Sequence, residues 1–476
     1  MLNFTFIVKN SQIMHIKFSF TLVAFALLIK FFAVLSTNFD LFGDEAQYWI
    51  WSENLDFGYY SKPPLLAWVI GSFSFLFGSA FITLKIIPIG TYVLIAFVIY
   101  LISQELYNNK KLALLSGVTF YLLPAVSLSS FLISTDVILI LFWSLSLLFL
   151  IKIRKNPKII NFFLLGIFLG LSFLAKYAAI YFLLSLVVLI FLDEKIKKIF
   201  FKKFLHFVFF LGTSLVVLFP NIVWNLKNNW ITLSHTSDNA SLSKININLF
   251  QGGEFILSQG IMIGPLLVIF FLISLSKIKS NFETKFLLSF SLPILLIVFG
   301  ESVLVRANAN WAAVALISLS IFFTNHAYNL SKKILIANNI VNFLICVVLF
   351  FLISSNSSLK FFNRINGITS FATMLVENHM KDINFLVVED RLLFSNLKYI
   401  LNKSEIKIYT TYEPGKKITS SFHLTDPLPP KFNKSFIFLG NIGEINYLIK
   451  KNKIKKIEKI KVIFKNNEIE IYEVIF

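Results

Sequence analysis

The sequence predicts an α-helical protein that crosses a membrane many times and ends in a small external α/β domain. Three observations carry this reading. Of 476 residues, 57% are hydrophobic and only 14% are charged, against roughly 25% charged in soluble domains. Apolar runs long enough for a hydrocarbon core of about 30 Å recur from residue 17 to residue 354, separated by lysine clusters. After about residue 355 the long runs stop, and short β-rich segments alternate with helical ones.

The opening stretch MLNFTFIVKNSQIMHIK carries no small-residue cleavage site behind a short apolar core. It reads as a cytoplasmic lead into the first span, not as a removed signal peptide. Spans are expected near 17–36, 81–103, 159–175, 177–192, 204–223, 255–276, 285–300, 311–325 and 334–354. Shorter or proline-broken runs occupy 63–78, 112–133 and 136–151. The basic clusters KIRKNPK (152–158), KIKKIFFKK (195–203), KIKSNFETK (277–285) and NLSKK (329–333) go to the cytoplasm by the positive-inside rule. That places 175–177, the loop 224–254, ESVLVRANANW (301–311) and everything after about 355 outside.

The alternation is regular from residue 152 onward. Upstream, an odd number of crossings must separate 62 from 152, whereas four apolar runs are present. Either one run is re-entrant or the 112–151 stretch folds as three short pieces around Pro124. Parity gives about 13 crossings, an internal N-terminus and an external C-terminus. Two domains follow: a transmembrane domain over 1–354, with its first external loop at 37–62, and an external α/β domain over 355–476. In the latter, INFLVVED (383–390), IKIYTTY (406–412), SFIFLG (435–440) and IEKIKVIFKNNEIEIYEVIF (457–476) read as strands. LLFSNLKYILN (392–402) and EINYLIKKN (444–452) read as the helices between them.

A net charge of +19, from 44 basic and 25 acidic residues, would suit nucleic acid in a soluble protein. Here it reads as cytoplasmic lysines facing anionic lipid, with no nucleic-acid partner. The one cysteine, Cys346, lies in an apolar run, which excludes an intrachain disulfide and a cysteine metal cluster.

Ionisable residues inside spans or at their edges are costly and mark functional sites. On the external side these are Asp44, Glu45, Lys62, Asp136, Lys176, His235, Glu254, Glu301 and Arg306. Acids and bases gathered at one membrane surface suggest chemistry on a charged lipid headgroup. In GDEAQYWIWSENL (43–55), helical spacing puts Asp44, Tyr48 and Trp51 on one side and Glu45, Trp49 and Ser52 on another. An amphipathic helix lying on the bilayer would explain the aromatics, but two carboxylates gain nothing at an anionic surface. Lys62 precedes Pro63–Pro64, which holds it extended at the start of the next helix. A cation at a helix N-terminus is unfavourable unless an anion joins it. The arrangement therefore predicts a bound phosphate, the alternative being a lysine that snorkels to the interface.

Five segments in order carry a resemblance: GDEAQYWIWSENLDFGYYSKPPLLAWVIG (43–71), STDVILILFW (134–143), GLSFLAKYAAIYFLL (170–184), PNIVWNLKNNWITLSH (220–235) and ANANWAA (307–313). Over roughly 20–325 the chain resembles glycosyltransferase family 39. This is the GT-C group that includes protein O-mannosyltransferases and lipid A aminoarabinose transferases. The resemblance implies transfer of a sugar from a polyprenyl-phosphate donor to a lipid, glycan or protein acceptor at the external face of a bacterial inner membrane. It also implies Asp44 at the catalytic acidic position with Glu45 beside it, and Lys62 as the K-P-P lysine on the carrier phosphate. Asp136 matches the second acidic motif, and Lys176 the lysine after the glycine-rich span. Aminoarabinose transferases tend to carry arginine where this chain has Gln47, so that charge is either missing or supplied from elsewhere, with Arg306 the candidate.

The residues agree with this chemistry. A leaving phosphate needs its charge neutralised, a role for Lys62, Lys176 or Arg306, and an acceptor hydroxyl needs a base, a role for Asp44. Asp136 is left with three readings: orienting the acceptor, holding a divalent ion, or capping the span that follows it. A metal site drawing on His235 and Glu254 stays open, although their spacing matches no ligand pattern. A transporter or lipid flippase would spread its acids along the spans and break helices in paired repeats. A binding protein would leave Asp44 and Lys62 without a purpose.

Overall fold

In the computed structural model, residues 2–240, 245–445, 453–462, 464 and 467–475 are described. The chain is an integral membrane protein, and it divides into two compact units. One comprises Met1–Val34, Lys62–Leu66 and Lys85–Phe351; the other comprises Leu35–Ser61, Ala67–Leu84 and Leu352–Phe476.

The first unit is helical. Among the described residues, six helices of the whole chain are long and apolar enough to cross a membrane: Phe18–Ser36, Phe81–Tyr107, Thr135–Lys155, Phe204–Lys227, Phe282–Leu304 and Lys332–Ser354. The helices Leu65–Phe77, Ile159–Ala175 and Tyr177–Leu192 are apolar but shorter. The 112–151 stretch divides at Pro124 into three helices, Lys110–Tyr121, Pro124–Ser129 and Thr135–Lys155. Proline has no N–H to give a preceding turn, so it begins a helix more readily than it continues one. The expected 255–276 span is broken: Leu249–Ile263 and Pro265–Ile273 meet at 107° around Gly264. The expected loop 224–254 contains a helix, Ile231–Ala240.

Two helices that carry site residues are packed closely. On Ile159–Ala175, a Cβ at Gly166 would lie 2.6 Å from the Phe210 carbonyl oxygen, and one at Gly170 would lie 2.7 Å from Val217 Cβ. Small residues four apart let the backbones of this helix and Phe204–Lys227 approach without a hydrophobic driving force between them. Trp143 is fully buried and meets the rings of Phe182 and Phe290 edge-on at 5.2 and 6.3 Å. At the far end of the Thr135–Lys155 helix, Arg154 grips Asp193 through two bonds of 3.0 and 3.1 Å. Asp193 in turn caps Glu194–Lys202 by accepting from the Ile196 N–H. Burial alone would raise the Asp193 carboxyl, but the Arg154 and Ile196 bonds hold it below the usual range.

The second unit is built on a five-stranded sheet: β1 (Phe385–Val388), β2 (Lys407–Thr410), β3 (Phe436–Leu439), β4 (Lys453–Val462) and β5 (Asn467–Ile475), in the order β2-β1-β3-β5-β4. β1 runs parallel to β2 and β3, while β5 is antiparallel to β3 and β4. The run expected as strand at 457–476 thus forms a hairpin, and its first arm begins at Lys453. The helix expected at 392–402 is Arg391–Ile400. That expected at 444–452 falls mostly outside the described residues. Val387, Phe436, Phe438, Tyr472 and Val474, with Leu428 and Ile445, form a buried core against the sheet.

Segments 35–61 and 352–476 are stitched together within this unit. Ser36 and Ser354 hydroxyls lie 2.7 Å apart, and the Asn356 side chain accepts from the Thr37 hydroxyl and the Asn38 N–H. Asp40 takes the Ile368 and Thr369 N–H groups and the Thr369 hydroxyl, capping the Ile368–His379 helix from outside it. Tyr60 donates to the Ile418 carbonyl at 3.1 Å.

Candidate functional site

In the second unit, the segment expected to be helical is the Gly43–Glu53 helix. It is not a surface helix: Glu45, Ala46, Gln47, Tyr48, Trp49, Ile50, Trp51 and Ser52 are all buried. Its covering is the Arg391–Ile400 helix, approached so closely that a Cβ at Gly43 would lie 2.6 Å from Leu392 Cβ. Trp49 meets the Tyr399 ring edge-on at 5.0 Å, and Trp51 stacks on Tyr59 at 4.6 Å. The aromatics that suggested a bilayer surface are core residues, because an α/β helix supplies the apolar partner instead of lipid.

Within this buried helix the two carboxylates have different surroundings. Glu45 is 1% exposed, and its carboxylate turns back to accept from the Phe42 N–H at 2.8 Å, satisfying a donor at the helix start. Asp44 is half-open, with its side chain 40% exposed. Its Oδ1 accepts from Arg391 Nη1 at 2.8 Å, and among the described residues its Oδ2 has no hydrogen-bond partner. The same Nη1 donates to the Gln47 carbonyl oxygen. One carboxylate holds the helix; the other faces outward with one oxygen fixed and one open.

In the first unit, Asp136 lies in the first turn of Thr135–Lys155, where the helix dipole favours an acid. Lys176 is the C-cap of Ile159–Ala175, where the dipole favours a cation. Lys176 Nζ donates to Asp136 Oδ1 at 2.7 Å, and the Asn310 amide donates to Oδ2 at 3.0 Å. Next to Lys176, the Tyr177 hydroxyl donates to the Asn221 side chain at 2.8 Å and accepts from Asn225 at 3.0 Å. The segments STDV, AKYAA and ANANW thus meet at Asp136, both of whose oxygens are engaged, and AKYAA meets PNIVWN at the adjacent Tyr177.

Lys62 is half-exposed, and the helix that follows begins at Leu65, after both prolines. Each proline biases the residue before it towards extended geometry, so the helix starts later than the sequence suggested and Lys62 stands ahead of its N-terminus. Arg306 is exposed in the turn after Leu292–Leu304, and no side chain among the described residues pairs with it. The guanidinium that meets Gln47 belongs to Arg391. Glu254 is exposed on Leu249–Ile263 and His235 is half-exposed on Ile231–Ala240. Among the described residues no three His, Cys, Asp or Glu side chains gather as a metal site would need.

Sequence reasoning passed over Arg391. The signal was present in VVEDRLL (387–393): a strand that ends in an Asp390 N-cap and then places a cation in the first helical turn, where the dipole opposes it.

Comparison with known proteins places the chain among relatives. Residues 61–224 match the family model described as dolichyl-phosphate-mannose-protein mannosyltransferase. A lipid A galacturonosyltransferase, RgtD, of Rhizobium johnstonii is 32% identical over 296 residues, covering 60% of this chain and 61% of that protein. An undecaprenyl phosphate-alpha-4-amino-4-deoxy-L-arabinose arabinosyl transferase of Wigglesworthia glossinidia brevipalpis is 31% identical over 193 residues, 35% of this chain and 33% of that one. The matched region is thus about three-fifths and one-third of these relatives' lengths. In fold, the crystal structure of ArnT from Cupriavidus metallidurans bound to undecaprenyl phosphate superposes with a TM-score of 0.70 at 11% identity, over 96% of this chain and 98% of that one. Its apo form gives 0.68.

Proposed function

We propose that this chain is a glycosyltransferase of the GT-C kind, as its similarity over residues 61–224 and to the Rhizobium galacturonosyltransferase supports, and that it transfers a sugar from a polyprenyl-phosphate donor to a glycolipid acceptor of the lipid A type. The reaction takes place at the periplasmic face of a bacterial inner membrane. The observation that carries the reading is the Asp44 carboxylate: half-open on an otherwise buried helix, one oxygen held at 2.8 Å and the other without a protein partner. A carboxylate fixed in this way can accept a proton from an acceptor hydroxyl. The acceptor oxygen then forms a bond to the anomeric carbon, the bond from that carbon to the phosphate oxygen breaks, and the polyprenyl phosphate leaves with the added negative charge. Lys62 neutralises that charge. Asp136, held by Lys176 and Asn310, forms with them a polar cluster that orients the substrate and does not act as a second base. Glu45 keeps the Asp44 helix start in place. The acceptor follows that of the Rhizobium lipid A galacturonosyltransferase, and the lipid carrier the undecaprenyl phosphate of the arabinosyl transferase and of the ArnT complex.

The test is transfer by the purified full chain in detergent, from radiolabelled polyprenyl-phosphate sugars onto lipid A and, in parallel, onto a crude envelope extract. Transfer is expected, and Asp44→Asn is expected to lower it by about 10²–10⁴-fold without unfolding the protein. Lys62→Met should weaken polyprenyl-phosphate binding by one to two decades, the worth of a charge-assisted hydrogen bond of roughly 1.5–3 kcal/mol. Undiminished transfer by Asp44→Asn would move the base to another carboxylate. A wild-type protein that moves no sugar under any donor would sink the reading.

A further inference from the structure

We propose that Arg391, from the C-terminal α/β segment, is an oxyanion-binding residue that takes the place of the arginine expected at position 47. The proposal deepens the transfer reading above and rests on it. Gln47 is neutral, yet its side-chain oxygen accepts from Arg391 Nη1, so a guanidinium lies where the side chain of residue 47 ends. That Nη1 is shared with Asp44 Oδ1 at 2.8 Å. Two acceptors on one nitrogen fix the plane of the group and leave its other edge unused: among the described residues Nε and Nη2 have no hydrogen-bond partner. A guanidinium edge with two parallel N–H donors matches a phosphate or carboxylate bidentately.

A purely structural role explains this poorly. The ion pair is 37% and 40% exposed on its two sides, and pairs of that exposure contribute little to stability. Arg391 also stands in the first turn of its helix, where a cation is disfavoured unless anions surround it. Asp44 supplies one anion, and the unused Nε and Nη2 donors are available to a second. The ligand chemistry is a phosphate oxyanion, which the polyprenyl carrier and a phosphorylated glycolipid acceptor both present. Arg391 also orients Asp44, so one side chain positions the base and binds the anion.

The experiment uses the purified full chain with Arg391→Gln, Arg391→Lys and the double variant Gln47→Arg/Arg391→Gln, with Lys62→Met alongside. Binding is read with polyprenyl phosphate lacking sugar, and transfer is read with lipid A carrying or lacking its phosphates. If the carrier phosphate is the ligand, Arg391→Gln loses ten- to a hundredfold in polyprenyl-phosphate affinity. If the acceptor phosphate is the ligand, carrier affinity stays while KM for phosphorylated lipid A rises tenfold or more, and the rise vanishes with the dephosphorylated form. In either case Arg391→Lys recovers only part of the loss, and Gln47→Arg/Arg391→Gln recovers at least a third of wild-type transfer, which a packing role would not allow. Should Arg391→Gln fold poorly, the double variant and Arg391→Lys still decide. Arg391→Gln with wild-type affinity and KM, or a double variant no better than the single one, overturns the proposal. If Lys62→Met fails in that same experiment while Arg391→Gln does not, the transfer reading stands and only the Arg391 assignment falls. A wild-type chain that captures no polyprenyl phosphate brings both down.

Discussion

Replacing Gly43 with alanine should loosen the whole Asp44 arrangement through a single methyl group. A Cβ at 43 would lie 2.6 Å from Leu392 Cβ, 2.8 Å from its Cδ2 and 2.9 Å from its Cα, whereas carbons in contact prefer about 3.5–4.0 Å. The Leu392 side chain cannot rotate this clash away, because Cβ and Cα belong to the helix itself. The Gly43–Glu53 and Arg391–Ile400 helices must therefore part by roughly 1 Å to restore contact distance. The same shift takes the 2.8 Å Asp44–Arg391 bond to about 3.8 Å, beyond hydrogen-bond range. Helix propensity by itself favours alanine by about 0.5–1 kcal/mol, and overpacking costs about 1–3 kcal/mol. The net is a loss near 1 kcal/mol, small for folding but large for the site. Transfer should fall at least tenfold, and the thermal midpoint read by tryptophan fluorescence should fall with it, since Trp49 and Trp51 lie on this helix. Adding Leu392→Gly removes the Cβ and Cδ2 obstacles but keeps the Cα at 2.9 Å. It should recover part of the transfer while lowering the midpoint further, because helix glycine and a lost leucine both cost stability, whereas Leu392→Ala keeps the Cβ and should recover neither. Gly43→Ala with wild-type transfer and an unchanged midpoint would refute the argument from close approach.

Asp136→Ala should leave Lys176 without its 2.7 Å partner and destabilise the protein by about 1.5–3 kcal/mol; Asp136→Asn should cost less, and equal midpoints for the two in thermal unfolding would remove the ion pair from the account. Burial, with the Glu45 charge adding to it, pushes the Tyr399 phenol up to about 12. A raised phenol contributes stability that is present below its ordinary value near 10 and is lost as pH rises through 12. Alkaline unfolding should therefore shift to higher pH in Tyr399→Phe, and an unaltered alkaline transition would contradict this. Reporter fusions should place residue 470 outside and residue 198 inside, as the lysine-rich KIKKIFFKK segment dictates; both on one side would overturn the topology.

Composition and the period of apolar runs settled the class of this protein, because a bilayer leaves few structural choices for 20-residue apolar segments. They also located Ile159–Ala175 to the residue, since a chain that must satisfy its own hydrogen bonds in lipid turns helical wherever it is apolar. The alternation of short β-rich and helical segments gave β1, β2, β3 and the Arg391–Ile400 helix within one or two residues. The motifs named Asp44, Lys62, Asp136 and Lys176, since charged groups at membrane edges are conspicuous. What the sequence left undecided were the partners of those charges. Asp44 and Arg391 are 347 residues apart, and no periodicity links positions so distant. Asp136, Lys176 and Asn310 meet only because two close-packed helices and a turn converge. The aromatics of the Gly43–Glu53 helix suit a bilayer interface or a protein core equally well, and only the Arg391–Ile400 helix packed against it decides which one they occupy. Local sequence fixes where a backbone closes its own hydrogen bonds; which buried surfaces pair is a property of the folded chain.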